Sequence, residues 1–433
     1  MRTMRASGTL IILLCLSLLM PLQAGADVGP AAATGLTAVE QTLLRALESA
    51  GVAEHVVRVA ADTNGYLTVA SISFTYAAGD AQFLPPLNAT AWRILRAAFA
   101  GVPILNEIDL LAFHQKSGWF NGLRRDPTMT AAVTPAEMAR VPAGTPDDLA
   151  LAWLPRVWFH PALIRAGMAS ADLEHHARHL LSIGVLLEDT PAFEGSPRER
   201  AIELSHSRLG RTKGGIVEGK LYRGDPTRPV LALTFDDGPS PIYTTLLLDS
   251  LRRTGVRATF FLVGLRVLQY PYFAREIMAA GHELANHSFH HVNLTRLSRS
   301  QVSDELALTQ SVILGVTGMT PHYFRPPGGR YNPAVLAAAQ ALGLITVFWT
   351  DDPGDYGYPV PQVEQKLFAL VANGGIVVLH QGVGTTIREL PKIIGTLRRR
   401  GFTFTTVSGL VAPRQGPATR DSSRAALVTG RKR

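Results

Sequence analysis

One cysteine, Cys15, stands in a chain of 433 residues, and that scarcity excludes an intramolecular disulfide framework and any cysteine-ligated zinc finger. Charge is also sparse: Asp, Glu, Lys and Arg make up 18% of the residues, against 46% hydrophobic. That balance excludes a disordered chain. Aromatic residues reach only 7%. The apolar run Leu10 to Met20 is about half the ~20 residues that span a bilayer as a helix. No repeat recurs at a solenoid period.

What charge there is collects at the ends. The formal net charge is +8. Arg2 and Arg5 precede the Leu10 to Met20 run, and Ala24-Gly25-Ala26 follows it. This is the order of a secretory signal with a small-residue cleavage site, an uncleaved anchor being the alternative. Cleavage after Ala26 removes Cys15 and predicts a thiol-free exported protein without a stable membrane span. At the other end, Arg414, Arg420, Arg424, Arg431, Lys432 and Arg433 face only Asp421, so residues 412–433 read as a basic, disordered tail. The body between is close to neutral and argues against a nucleic-acid partner.

Two bodies follow from the hydrophobic patterning. In residues 27–190, Leu36, Val39, Leu43, Leu44 and Leu47 recur at helical spacing. His55 to Ala61 and Tyr66 to Tyr76 flank the turn Asp62-Thr63-Asn64-Gly65 as a hairpin. Asn88 reads as a helix cap, Ile104 to Phe113 as a return to the sheet, and the stretch beyond Pro135 as mainly helical. This is a separate α+β domain, either a glycan-positioning module or a spacer. His175 and His179 have metal-ligand spacing but no third ligand, so a solvated helix face is the better reading. Asn88-Ala89-Thr90 matches a glycosylation triplet. Residues 191–227 turn charged and Gly/Pro-rich, as a linker does.

From 228 to 411 strands and helices alternate. Strands are expected at Val230 to Phe235, Ala258 to Val263, Glu283 to Ala285, His322 to Phe324, Ile345 to Trp349, Ile376 to His380 and Phe402 to Val407. Such alternation makes a parallel α/β sheet, open or closed into a barrel, with chemistry at the C-terminal strand ends. The polar residues that stand out lie at those ends. Asp236 and Asp237 end an apolar strand, a costly pairing that a divalent cation would compensate, a solvated turn being the alternative. His287 and His291, four apart, can face one point, with His290 in a supporting place or at the surface. One Asp and two His leave a coordination position open for water, the mark of a catalytic site. Arg325 precedes a glycine-rich loop whose N–H groups can approach a reacting oxygen. Asp352, Asp355 and Tyr356 follow another strand, and His380 ends a third.

Five segments together carry a resemblance: Thr234-Phe-Asp-Asp-Gly-Pro239, His287-Ser-Phe-His-His291, Arg325-Pro-Pro-Gly-Gly329, Asp352-Pro-Gly-Asp-Tyr356 and Val378-Leu-His380. In this order they resemble the motifs of the polysaccharide deacetylase (NodB-homology) superfamily, carbohydrate esterase family four. The resemblance implies a distorted (β/α) barrel of about seven strands. It also implies metal-dependent removal of acetyl groups from a glycan. Asp237, His287 and His291 would then hold the metal, most simply Zn2+, with Co2+, Ni2+ or Mn2+ tolerated. Asp236 would be the base, His380 the acid and Arg325 the group orienting the base. Asp352 or Asp355 would support the acid. The family's aromatic after Arg-Pro-Pro is Gly328 here, its tryptophan is Tyr356 and its leucine is Val378. These differences fall on the oxyanion and acetyl pocket.

The function expected is removal of N-acetyl groups from an acetylated cell-wall or extracellular polysaccharide by an exported hydrolase. The alternatives are an O-acetyl (xylan-type) esterase and an inactive glycan-binding protein.

Overall fold

The computed structural model describes residues 37–76, 84–114, 127–160, 214–356 and 358–411. The expected signal, the His175/His179 pair, residues 191–213 of the expected linker and the basic tail lie outside the described residues.

The N-terminal half begins with α1 (Ala38–Ser49), β1 (Val56–Thr63), β2 (Thr68–Tyr76) and α2 (Leu84–Gly101). It continues with β3 (Glu107–His114), β4 (Met129–Val133), α3 (Pro135–Met138) and β5 (Val157–Phe159). Thr37 and Glu40 close a capping box that starts α1. The hairpin forms as its turn predicts: Asn64 Oδ1 accepts the N–H groups of Tyr66 and Leu67, and β1 runs antiparallel to β2. Helix α2 is the crossover that makes β3 parallel to β2, and the sheet order is β1-β2-β3-β4-β5.

Two expectations are corrected here. Helix α2 starts at Leu84, so Asn88 sits inside it, and its Nδ2 donates to the Asp148 carbonyl at 2.9 Å. From Pro135 to His160 the structure holds the short α3, a 3-10 turn and β5, not a run of helices, and the rest of that stretch, up to Leu187, lies outside the described residues. The β-branched and aromatic Val157-Trp158-Phe159 pairs with β4 instead.

The C-terminal half opens with the hairpin β6 (Ile216–Val217) and β7 (Lys220–Leu221), within the stretch read as linker. Then come β8 (Val230–Gly238), α4 (Tyr243–Thr254), β9 (Thr259–Leu262), α5 (Gly264–Gln269), α6 (Pro271–Ala279), β10 (Glu283–Asn286) and α7 (Arg299–Thr317). The half ends with β11 (Tyr323–Phe324), α8 (Pro333–Ala341), β12 (Ile345–Val347), α9 (Val360–Leu370), β13 (Ile376–His380), α10 (Gly384–Arg399), β14 (Thr403–Thr405) and α11 (Val407–Val411). All seven expected strands form, and β6 and β7 extend them to a sheet of nine.

The run Val-Leu-Ala-Leu-Thr-Phe makes β8 central, buried on both faces as parallel strands are. One edge of β8 pairs with β13. The other edge is divided, β14 taking Val230 to Ala232 and β9 taking the residues from Thr234 onward. The sheet curls until Asp351, just past β12, bridges Val377 of β13. This brings its ends together as a distorted barrel. Phe235, Phe260, Leu246 and Leu390 pack between strands and helices, each contributing about 1.5–3 kcal/mol through burial.

The central strand β3 of the N-terminal sheet is buried on both faces. Ile108, Leu110 and Ala112 of β3 join the core under α1 and α2. The alternate residues Glu107, Asp109 and Leu111 face the barrel helices, as a period of two requires. Leu111 and Ala132 meet Tyr270, Tyr272 and Phe273, and Thr130 Oγ1 donates to the Gln269 carbonyl at 2.6 Å. Arg156 ties Glu107 and Glu137 of its own half to Glu276 of α6.

Candidate metal centre and active site

Strands β8, β10, β11 and β13 all run in parallel, so the residues at their C-terminal ends meet at one mouth of the barrel. Asp237, His287 and His291 each offer a ligand atom there, all within 4.8 Å of one another. Asp237 Oδ1 is 3.3 Å from His287 Nε2 and 3.0 Å from His291 Nε2.

The backbone reaches this arrangement through unusual conformations. Asp237, Ser288 and His291 all have positive φ, at 70°, 62° and 57°. Side-chain-bearing residues accept that region only where surrounding contacts impose it. Asn286 Oδ1 takes the Ser288 N–H, and Glu305 takes the N–H groups of Phe289 and His290. The His290 ring donates to the same Glu305 carboxylate at 2.6 Å, which gives His290 the supporting place expected of it. Arg266 donates to the Asp237 carbonyl at 2.6 Å.

The donor set fits a divalent cation. His287 Nδ1 donates to the Arg325 carbonyl at 2.7 Å, so its Nε2 faces Asp237 as a bare acceptor. Asp237 Oδ1 is buried without a hydrogen bond among the described residues. Acceptors converging in this way repel one another unless a cation lies between them.

Asp236 lies beside this triplet, its Oδ2 3.8 Å from His287 Nε2. Arg325 Nη1 donates to Asp236 Oδ1 at 2.7 Å and to Thr234 Oγ1 at 2.8 Å. The guanidinium is fully buried over the Phe261 ring, 4.1 Å from its centroid. Burial lowers its pKa, and the Asp236 carboxylate counters that shift.

His380 completes the group. Its Nδ1 donates to Asp355 Oδ1 at 2.7 Å, and its backbone N–H reaches Asp355 Oδ2 at 2.9 Å. Asp352 instead accepts the Gly354 N–H and closes a turn. The partner left open between Asp352 and Asp355 is therefore Asp355. Burial opposes charge on His380, yet Asp355, with Asp237 and Asp236 behind it, pushes its pKa up to about 10. Tyr356 packs on the His380 ring at 4.2 Å between centroids, and its hydroxyl donates to Asp237 Oδ2.

Two remaining positions shape the surroundings. Val378 is buried in the barrel with Ala232, Phe261 and Trp349. Gly328 has φ of 59°, and a Cβ there would meet the Arg330 guanidinium at 2.8 Å. Arg330, itself buried, fills the space a side chain at 328 would enter. Glu305, Arg266 and Asn286 were not legible as site residues. Glu305 and Arg266 reach the site from distant parts of the chain, and Asn286 acts on the backbone two residues on, which no motif spacing marks.

Comparison with known proteins agrees with the motifs. The sequence model of the polysaccharide deacetylase family matches residues 223–347. A peptidoglycan-N-acetylglucosamine deacetylase of Bacillus cereus is 36% identical over 188 residues, 42% of this chain and 88% of that protein. A chitooligosaccharide deacetylase of Bradyrhizobium is 36% identical over 186 residues, 39% of this chain and 85% of that protein. A peptidoglycan-N-acetylglucosamine deacetylase of Listeria monocytogenes is 36% identical over 185 residues, 42% of this chain but only 39% of that longer protein.

Proposed function

Because the chain belongs to the polysaccharide deacetylase family, hydrolases of carbon–nitrogen bonds other than peptide bonds, we propose that it removes N-acetyl groups from N-acetylglucosamine-type units of a cell-wall polysaccharide. The relatives named as peptidoglycan and chitooligosaccharide deacetylases support this substrate class. The carrying observation is the Asp237–His287–His291 triplet, whose ligand atoms converge beside the Arg325–Asp236 and Asp355–His380 pairs.

Asp237, His287 and His291 would hold a divalent cation, with Zn2+ the best match to one carboxylate and two imidazoles. When bound, it supplies Lewis acidity toward the acetyl carbonyl and the attacking water. Asp236 accepts the water's proton, and Arg325 keeps its carboxylate aimed. His380 carries a proton on Nε2 and gives it to the departing amine, with Asp355 fixing the ring. The Gly328 N–H donates to the developing oxyanion. Val378 and Tyr356 line the acetyl pocket.

Residues 1–26 act as a signal peptide, residues 27–190 form the first domain, and the hydrolase works outside the cell or in its envelope. The test is acetate release from peptidoglycan, N-acetylglucosamine oligomers and acetylated xylan, with and without a chelator. Chelator-sensitive release from the first two supports the reading. Release from xylan alone would replace it with an O-esterase.

A further inference from the structure

Two of the contacts that hold the metal loop trace back to the N-terminal sheet. Asp109, on the barrel-facing side of β3, accepts the Ile242 N–H through Oδ2 at 2.6 Å. Asp109 is 1% exposed, and its Oδ1 has no hydrogen bond among the described residues. Burial and the neighbouring Glu107 raise its pKa well above the usual carboxyl range. Ile242 is β-branched yet has φ of 65°, a conformation that persists only where surrounding contacts hold it. It turns its N–H away from the barrel and into the N-terminal half.

Ile242 is tied closely to Asp237. The intervening Gly238, Pro239, Ser240 and Pro241 include two prolines with fixed φ. Ser240 is further clamped by Thr244, which accepts its N–H and donates to its carbonyl, both at 2.8 Å. A shift at Ile242 therefore has little slack before it reaches Asp237. The second contact acts from the other side. Arg266 of α5 holds the Asp237 carbonyl, and the same helix ends at Gln269, whose carbonyl takes the Thr130 hydroxyl of β4.

We propose that Asp109 is a positioning residue for the metal loop, so that the N-terminal sheet is a working part of the active centre. This rests on reading Asp237 as a metal ligand. Asn64 provides the control. Its side chain donates to Leu246, Asp249 and Ser250 farther along α4, and so ties the two halves together without reaching the metal loop.

The experiment titrates Zn2+ against a competing chelator in the full chain and in Asp109→Ala, Asp109→Asn and Asn64→Ala. Hydrogen exchange is followed across residues 236–243. Asp109→Ala is expected to weaken Zn2+ binding ~10–100-fold, as loss of an outer support does. It should lower kcat with little change in KM and speed exchange around Ile242. Asp109→Asn keeps an oxygen acceptor and should recover binding to within about threefold, the range of context dependence expected of a supporting contact. Asn64→Ala should lower the melting temperature and leave Zn2+ affinity unchanged.

Wild-type affinity in folded Asp109→Ala, or equal loss in Asn64→Ala, overturns the proposal alone. A wild-type chain that binds no Zn2+ overturns the metal reading and the proposal with it. Asp109→Ser repeats the measurement, with the same outcomes, if Asp109→Ala does not fold.

Discussion

The two halves of the molecule bury charge in different ways. In the N-terminal sheet, Glu107 and Asp109 are buried against the other half, and Arg156, Thr245 and the Ile242 N–H answer them directly. At the barrel mouth, Asp237, His287 and His291 bring ligand atoms within 4.8 Å of one another, and among the described residues Asp237 Oδ1 has no hydrogen bond. The first arrangement is answered largely within the fold, Asp109 Oδ1 excepted. The second costs stability unless something enters from solvent. A buried cluster of ligand-type side chains converging on one point is therefore a better mark of function than buried charge alone.

The sharpest way to test this contrast is to break one charge in each half. Asp237→Ala should empty the metal site and lower kcat/KM by about 10^3-fold or more, since a bound cation supplies several kcal/mol of transition-state stabilisation. Metal content and acetate release measure this directly. Arg156→Met should act on folding instead. It leaves Glu107, Glu137 and Glu276 without their shared cation, and should cost about 3 kcal/mol in urea unfolding, the order expected when a largely buried pair loses one partner.

Smaller changes sharpen the comparison. Asp355→Asn should reduce kcat by ~10^2-fold, the low end for a general acid made ineffective. It should also change how stability depends on pH in the metal-free protein. His380 is held up to about 10 in the fold, above its ordinary value near 6.5. The stabilisation from this shift is fully present below pH ~6.5 and is lost as pH rises through about 10. Removing the Asp355 charge should narrow that window from its upper end, as seen by NMR titration of the ring and unfolding at stepped pH. The smallest effect belongs to the half-exposed pair Asp62–Arg388 across the two halves. Arg388→Ala should cost about 0–1 kcal/mol, and less in high salt.

The sequence disclosed the barrel better than the sheet beside it. Val230 to Phe235 and Ile376 to His380 are apolar runs ending in charge, and such endings are visible without a structure. The segment Met129–Val133 is buried at every residue, so it lacks the alternation by which a strand announces itself. The choice between Asp352 and Asp355 stayed open because both lie in one short loop, and only the fold turns one of them toward His380. Asp109 was read as part of an apolar return to the sheet. Its meaning depends on Ile242, more than a hundred residues later.

Gly328 and Arg330 form a linked pair in a sense that an aligned column does not convey. The side chain missing at one position has its place taken by the other, so the loop after Arg325 is filled and basic rather than vacant. A large residue placed at 328 alone would meet both the positive φ and the guanidinium. The same change made together with a small residue at 330 would meet only the first. The penalty for a large residue at 328 alone should therefore exceed the penalty for the paired exchange.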